Sequence, residues 1–181
     1  STGSLIAPYA FLGPGYDHVL KEMYTSYSTD DLVEKRNWLT LLTSDSFGTT
    51  NKLRTVIAKY MTEEVMQNIA AEHRKGRRLF IGTVNLDAVR PVIWNIGEIA
   101  NSGQNEALDL IIDVILASAS IPGAFPPVYI DVEAQGKLYN EMHVDGGVAT
   151  QVFLYPLGAN WQEVLKKLQV PGTPHVYIIR N

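Results

Sequence analysis

The residue best placed to do chemistry is the serine at position 1. Ser1 is followed by Thr2 and Gly3 and then by an apolar run, residues 5–12. A serine, one further residue and a glycine ahead of a helix form the downstream half of a Gly-x-Ser-x-Gly nucleophile elbow, whose tight strand-to-helix turn exposes the serine Oγ. Ser-x-Gly is also a common sequence, so this pattern by itself leaves an ordinary helix start open.

A serine hydroxyl is a weak nucleophile and needs a base, most often a histidine. The four histidines are scattered along the chain: His18, His73, His143 and His175. In a strand, the side chain of His143 would share a face with that of Asp145, two positions further on. An acid and a base so close in sequence are sterically awkward partners for Ser1, so a catalytic triad is the less favoured interpretation.

The carboxylates also have simple structural interpretations. Asp145 is followed by Gly146, and Asp-Gly is a favoured turn pair. Asp109 and Asp113 lie one helical turn apart, which could indicate a metal pair, but two carboxylates without a nearby histidine are typical of a solvated face. The chain has no cysteine, which excludes disulfides and thiolate zinc sites. We therefore predict no metal site and no cofactor.

Three segments in a fixed order carry a family resemblance. The first is residues 1–3, the second is residues 117–128 with the sequence ASASIPGAFPPV, and the third is residues 144–147 with the sequence VDGG. Their order and spacing resemble the patatin-like phospholipase family, whose pattern is G-x-S-x-G, an A-S-x-x-x-P-x-x-F-P-P-like loop and D-G-[GA]. The resemblance also runs through residues 83–92 and covers most of the chain.

The resemblance implies a function and a set of site residues. The family is built on a Ser–Asp dyad, so Ser1 would be the nucleophile and Asp145 the base that takes its proton. An ester would transfer its acyl group to Ser1, and water would then hydrolyse the acyl-enzyme. The backbone N–H of Thr2 or Gly3 would supply one donor to the oxyanion. The residues that support the motifs are Gly146, Gly147, Pro122 and Phe125.

The chain departs from the family pattern in two places. The glycine-rich loop, G-G-G-x-[RK]-G, lies upstream of the elbow in the family and is absent from these 181 residues. Because that loop supplies much of the oxyanion hole, we expect residues 1–181 to be a single catalytic domain fragment that is inactive by itself. After Gly147 the chain reads VATQV, where many members continue towards Asn-Pro. A non-catalytic lipid- or protein-binding fragment and a serine acyltransferase are the alternative functions.

Composition narrows the choice of partners. With 46% hydrophobic residues, 19% charged residues and a net charge of −4, the chain has the composition of an ordinary globular domain. Its basic residues cluster only at positions 74–78, which argues against a nucleic-acid partner. We expect a phospholipid or acyl-ester substrate; contact between the basic cluster and a peripheral membrane surface is the minority interpretation. Localisation stays open among cytoplasm, envelope and secretion.

Hydrophobic periodicity predicts the elements that must position these residues. Helices are predicted at residues 5–12, 16–27, 32–42, 51–74, 108–117 and 161–168, and strands at residues 78–85, 92–96, 128–132, 137–144 and 175–179. The helical stretch 51–74 is expected to be two pieces that meet near Thr62, and Gln135-Gly136 is expected to turn a hairpin.

Helices that alternate with buried-type strands predict an α/β fold of the layered α/β/α, patatin-like kind with a mostly parallel central sheet. The sheet is expected to be incomplete at its N-terminal side, because the elbow strand would precede Ser1. Open strand edges recruit other strands. The sequence therefore predicts a homo-oligomer or association with a separate N-terminal segment.

Overall fold

A computed structural model describes residues 3–26 and 47–149. Several predictions fall outside these residues. They concern Ser1 and Thr2, the helices at 32–42 and 161–168, and the strand at 175–179. The helices are α1 Gly3–Leu12, α2 Asp17–Ser26, α3 Phe47–Tyr60, α4 Glu63–Arg74, α5 Ile96–Asn101 and α6 Ala107–Ala119. The strands are β1 Phe80–Asn85, β2 Arg90–Asn95, β3 Val128–Ala134 and β4 Lys137–Asp145. Short 3-10 helices lie at Pro14–Tyr16 and Gly146–Val148.

Local sequence signals define the helix boundaries. The predicted break near Thr62 is confirmed: α3 ends at Tyr60, and the Thr62 side chain caps α4 by accepting a hydrogen bond from the Val65 N–H at 3.3 Å. Asn95 caps α5 in the same way, with its Oδ1 accepting from the Glu98 N–H at 3.2 Å. This cap explains why β2 stops at Asn95, one residue before the predicted strand end.

The four described strands form one sheet in the order β2-β1-β4-β3, and all neighbours are antiparallel. The prediction of a mostly parallel sheet is therefore wrong for this part of the chain. Parallel neighbours need a crossover of a dozen or more residues, whereas residues 86–89 join β1 to β2 and Gln135-Gly136 joins β3 to β4. The sheet consists of two hairpins that meet where β1 pairs with β4.

The predicted hairpin around Gln135-Gly136 is confirmed. Both turn residues have positive φ, 53° and 73°, as a two-residue type I′ turn requires. Glycine adopts this conformation without a steric penalty, and it fixes the register that pairs Ala134 with Lys137 and Val128 with His143. Because this register is set at the turn, it determines which β4 residues face the helices.

Helix α6 is the centre of the core. It packs against β1, β3 and β4 on one side and against α1, α3 and α5 on others. A helix that is apolar around most of its circumference is a buried helix, and the residues of α6 that are at most 2% exposed are Ile111, Val114, Ile115, Leu116 and Ala117. The helix is longer at both ends than the predicted 108–117, and its C-terminal end lies beside the end of β4.

The face of the sheet towards α6 carries Ile81, Val128 and Ile130 in the hydrophobic core. In the alternation of each strand, Thr83 follows Ile81 on that face, and Asp145 stands opposite Thr83 in the β1–β4 ladder. The carboxylate of Asp145 therefore belongs to the helix-facing side of the sheet. Among residues 3–26 and 47–149, no helix is long and apolar enough to cross a membrane.

Candidate active site

Asp145 is the last residue of β4 and is 6% exposed. Its backbone N–H donates to the carbonyl of Ser120 at 3.0 Å, and its Oδ1 accepts from the Gly147 N–H at 2.8 Å. The second bond is an N-cap on the 3-10 helix Gly146–Val148. Both the backbone and the carboxylate of Asp145 are thus held in place.

Close approach of other atoms leaves no room for a Cβ on Gly146 and little room for one on Gly147. A Cβ on Gly146 would lie 2.5 Å from the Gly82 carbonyl oxygen and 2.7 Å from the Gly82 carbonyl carbon. Both are backbone atoms, which cannot move aside as a flexible side chain would. A Cβ on Gly147 would lie 3.2 Å from Asp145 Oδ1. A larger residue at position 146 would therefore separate the end of β4 from β1.

The C-terminal end of α6 connects Asp145 to the start of α1. The Ser4 hydroxyl, in the first turn of α1, donates to the Ile115 carbonyl at 3.2 Å. Ser120 is the C-cap of α6, five residues after Ile115, and its carbonyl accepts a hydrogen bond from the Asp145 N–H. Five residues span about 7 Å along a helix. Helix α1 begins at Gly3, two positions after Ser1 in the sequence. The first turn of α1 and the predicted base Asp145 are therefore both bonded to the C-terminal end of α6.

The loop after α6 contains Pro122 and Phe125. Its turn is closed by hydrogen bonds from the N–H groups of Ala124 and Phe125 to the Ile121 carbonyl at 3.0 and 2.9 Å. Phe125 packs against the core, whereas Pro122 is exposed. The residue before the loop, Ser120, is fully buried, and its hydroxyl donates a hydrogen bond to the Leu116 carbonyl at 2.8 Å. The start of the loop is therefore held against α6.

His143 lies two residues before Asp145 and is fully buried. Its Nδ1 is 2.9 Å from the Thr83 hydroxyl oxygen, and its Nε2 is 3.2 Å from a Glu141 carboxylate oxygen. Trp94 donates from Nε1 to the same Thr83 oxygen at 2.8 Å and contacts the His143 ring edge-on, with centroids 5.5 Å apart. Burial lowers the pKa of His143, an effect that the carboxylates of Glu141 and Asp87 oppose.

Sequence reasoning singled out His143 but missed its partners Thr83, Trp94 and Glu141. The spacing of residues 141, 143 and 145 in a strand was the available signal for one shared face. The cross-strand partners could not be found in this way, because they depend on the register of β1 against β2 and β4.

Residues 85–87 connect the β1–β2 turn to β4. Asp87 accepts from the Met142 N–H at 2.7 Å, and the Leu86 N–H donates to the Met142 carbonyl at 2.8 Å. Asn85 accepts from the Ala88 N–H at 2.8 Å and so closes the turn. The Asp87 side chain and the Leu86 backbone therefore hold the two hairpins together, just beyond the last pair of the β1–β4 ladder.

Asp109 and Asp113 both bind the guanidinium group of Arg54, at 3.0 and 2.8 Å. Opposite charges at this distance raise the pKa of Arg54 further, chiefly through the hydrogen bond to Asp113. The arrangement is an ion-pair network between α3 and α6. Within the described ranges, no group of three or more His, Cys, Asp or Glu side chains has the arrangement to hold a metal ion.

These features define a mixed α/β domain in which a sheet strand ends in the buried Asp145, followed by the partly buried Gly146 and Gly147. The family model of the patatin-like phospholipases matches residues 1–157. The chain therefore belongs to the patatin-like phospholipase family, whose members are in general lipid acyl hydrolases. A search of curated proteins found no match.

Proposed function

We propose that this protein is a serine lipid acyl hydrolase of the phospholipase A or esterase type, with Ser1 and Asp145 as its catalytic dyad. The observation that carries the proposal is the shared attachment to α6. Ser4 of the first helical turn binds Ile115, and Asp145 binds Ser120. This attachment supports a nucleophile at the start of α1 within reach of the Asp145 carboxylate.

In the proposed reaction, the Asp145 carboxylate takes the Ser1 hydroxyl proton as Oγ attacks the ester carbonyl. The tetrahedral intermediate collapses, the leaving alcohol receives the proton from Asp145, and the acyl group stays on Ser1. Water then attacks the acyl-enzyme while Asp145 takes one of its protons. Return of that proton to Ser1 releases the free carboxylic acid and restores the dyad. The steps balance without a cofactor.

The N-terminus of α1 supports stabilisation of the oxyanion. The N-terminal end of a helix carries the positive end of its dipole. The Thr2 or Gly3 N–H is the donor proposed here, and preorganised donors of this kind are worth several kcal/mol in acyl transfer.

The environment of His143 favours a dyad over a triad. Both of its ring nitrogens lie within hydrogen-bonding distance of Thr83 or Glu141, and the ring is fully buried. A general base must reach the proton that it removes. Asp145, at the end of the strand and beside the start of the Gly146–Val148 turn, is the better candidate.

The test is hydrolysis of a short-chain p-nitrophenyl ester by the full-length protein. Ser1→Ala and Asp145→Asn should each lower kcat by at least about a thousandfold, as expected when a nucleophile or its base is removed. The matched control is Asp131→Asn, which changes an exposed carboxylate in β3 and should leave kcat within twofold. A folded Asp145→Asn protein with near-wild-type kcat would refute the dyad. Acyl transfer to an added alcohol in preference to water would identify an acyltransferase.

A further inference from the structure

Four side chains join three strands beside Asp145 and are called here the Thr83 network: the buried Thr83 and His143, and the partly exposed Trp94 and Glu141. We infer that these are positioning residues for Asp145: they hold the end of β4 in the place where its carboxylate can act. The inference rests on the proposed dyad for its kinetic part, and on the fold alone for its structural part.

The hydrogen-bond pattern of the Thr83 network has one consistent direction. Trp94 Nε1–H donates to Thr83 Oγ1, so the Thr83 hydroxyl proton is available for His143 Nδ1. Nε2 of the neutral ring then carries its proton and donates to Glu141. The opposite tautomer would place a nitrogen lone pair against a carboxylate oxygen. Burial lowers the pKa of His143 and so favours the neutral ring.

The Thr83 network crosses the sheet diagonally. Thr83 stands opposite Asp145 in the ladder, yet its hydroxyl bonds to His143, which stands opposite Asn85. On the other side of β1 it binds Trp94, whose ladder partner is Ile81. Because β-strand side chains alternate between faces, a slip of one residue would turn His143 and Asp145 to the other face. Diagonal bonds of this kind are broken by such a slip.

The β1–β4 ladder needs this support because it is short. It has three residue pairs, Thr83–Asp145, Val84–Val144 and Asn85–His143. By comparison, β3 and β4 pair over seven residues. Immediately beyond Asp145, Gly146 lies against the Gly82 carbonyl without room for a Cβ. A displacement of β4 would therefore also move the Gly147 N–H that holds Asp145 Oδ1.

Amide hydrogen exchange in the full-length protein tests the structural part directly, without any activity. Thr83→Val keeps the shape of the side chain but leaves Trp94 Nε1 and His143 Nδ1 without the hydroxyl. The Gly147 N–H should then exchange at least tenfold faster, after correction for global stability, while the Met66 N–H in α4 is unchanged. Thr83→Ser retains a hydroxyl and should restore slow exchange. Thr55→Val, which removes an exposed hydroxyl in α3, is the control.

The Thr83 variants also test the kinetic part of the inference, which is the effect on ester hydrolysis. Thr83→Val should lower kcat for a p-nitrophenyl ester about tenfold with KM within twofold, and Thr83→Ser should recover most of it. If Thr83→Val does not fold, Glu141→Ala replaces it, with Glu141→Gln as the rescue, because Glu141 is partly exposed. Unchanged Gly147 exchange in the folded variant overturns the inference. Accelerated exchange in a protein whose wild type hydrolyses no ester supports the positioning role and refutes the proposed function instead.

Discussion

The backbone N–H of Asp145 donates to the carbonyl of Ser120 at 3.0 Å, so the end of β4 is joined to the end of α6 by a main-chain bond. Because donor and acceptor are both backbone atoms, this bond does not depend on the chemistry of either side chain, unless a proline at position 145 removes the N–H. The position of Asp145 therefore depends on backbone packing at Gly82 and Gly146 as much as on the side chains around it.

Gly146→Ala tests this dependence. The added Cβ would lie 2.5 Å from the Gly82 carbonyl oxygen, and overpacking against fixed atoms costs about 1–3 kcal/mol. We expect a loss of that size in the free energy of unfolding in urea, together with a fall in esterase kcat. The control is Gly15→Ala, where a Cβ would meet nothing within 4 Å and the stability should stay within about 0.5 kcal/mol. Equal stability of the two variants would contradict the close approach.

Covalent capture tests the acyl-enzyme. A fluorophosphonate probe reacts with an activated serine, so it should modify Ser1, as located by mass spectrometry after digestion. Ser1→Ala should remove the labelling, and Asp145→Asn should slow it by at least about a hundredfold, since general-base catalysis contributes roughly 10²–10⁴-fold. Labelling of Ser118 or Ser120 in place of Ser1 would assign the nucleophile to the C-terminal end of α6.

The buried, neutral His143 predicts a pH dependence of stability. Burial lowers the folded-state pKa of His143 below the ordinary histidine value of about 6.5, so near that pH the unfolded chain binds a proton that the folded protein does not. Stability from this group is complete above about pH 6.5 and falls as the pH drops towards the folded pKa, by at most about 1.4 kcal/mol per pH unit.

The measurement is urea unfolding at pH 7.5 and pH 5.5 for the wild type and for His143→Gln. The lowered pKa values of Glu22 and Glu72 affect both proteins alike and cancel in the comparison. The wild type should lose more stability than His143→Gln over this interval. The same loss in both proteins would mean that His143 is not the group that titrates.

The ion pairs of Arg54 predict a difference between its two partners. The side chain of Asp113 is 28% exposed and that of Asp109 is 71% exposed. Exposed pairs contribute about 0.2–1 kcal/mol, so Asp113→Asn should destabilise the protein more than Asp109→Asn, with both effects small. Urea unfolding at low and high salt measures them. A larger effect for Asp109→Asn would show that solvent screening does not govern this network.

Local signals in the sequence predicted much of this fold. The cap at Thr62, the turn at Gln135-Gly136 and the buried helix that became α6 all follow from neighbouring residues, and the structure contains each of them. The sheet direction was wrong because alternation of helices with strands was given more weight than the shortness of the loops at 86–89 and Gln135-Gly136.

The contacts around the candidate site were harder to predict from the sequence. Asp145 was predicted from the family resemblance, through its position after the Pro-rich loop and its pairing with Ser1, but Ser120 and Thr83 could not be connected to it from the sequence. Those contacts depend on how α6 meets β4 and on the register of β1 against β4. Both are set by tertiary packing, which has no fixed spacing in the chain.

The separation between the two hairpins bears on the order in which this protein folds. Each hairpin can form from near neighbours, whereas the contact between Thr83 and His143 closes a stretch of 60 residues and must overcome the entropy of that loop. The β1–β4 ladder has only three residue pairs, so its contacts offset little of the entropy lost in closing that loop. We therefore expect the β1–β4 ladder to form last during folding and to open first during unfolding. Because Asp145 lies in this ladder, the proposed active site would be assembled at the end of folding and lost at the beginning of unfolding.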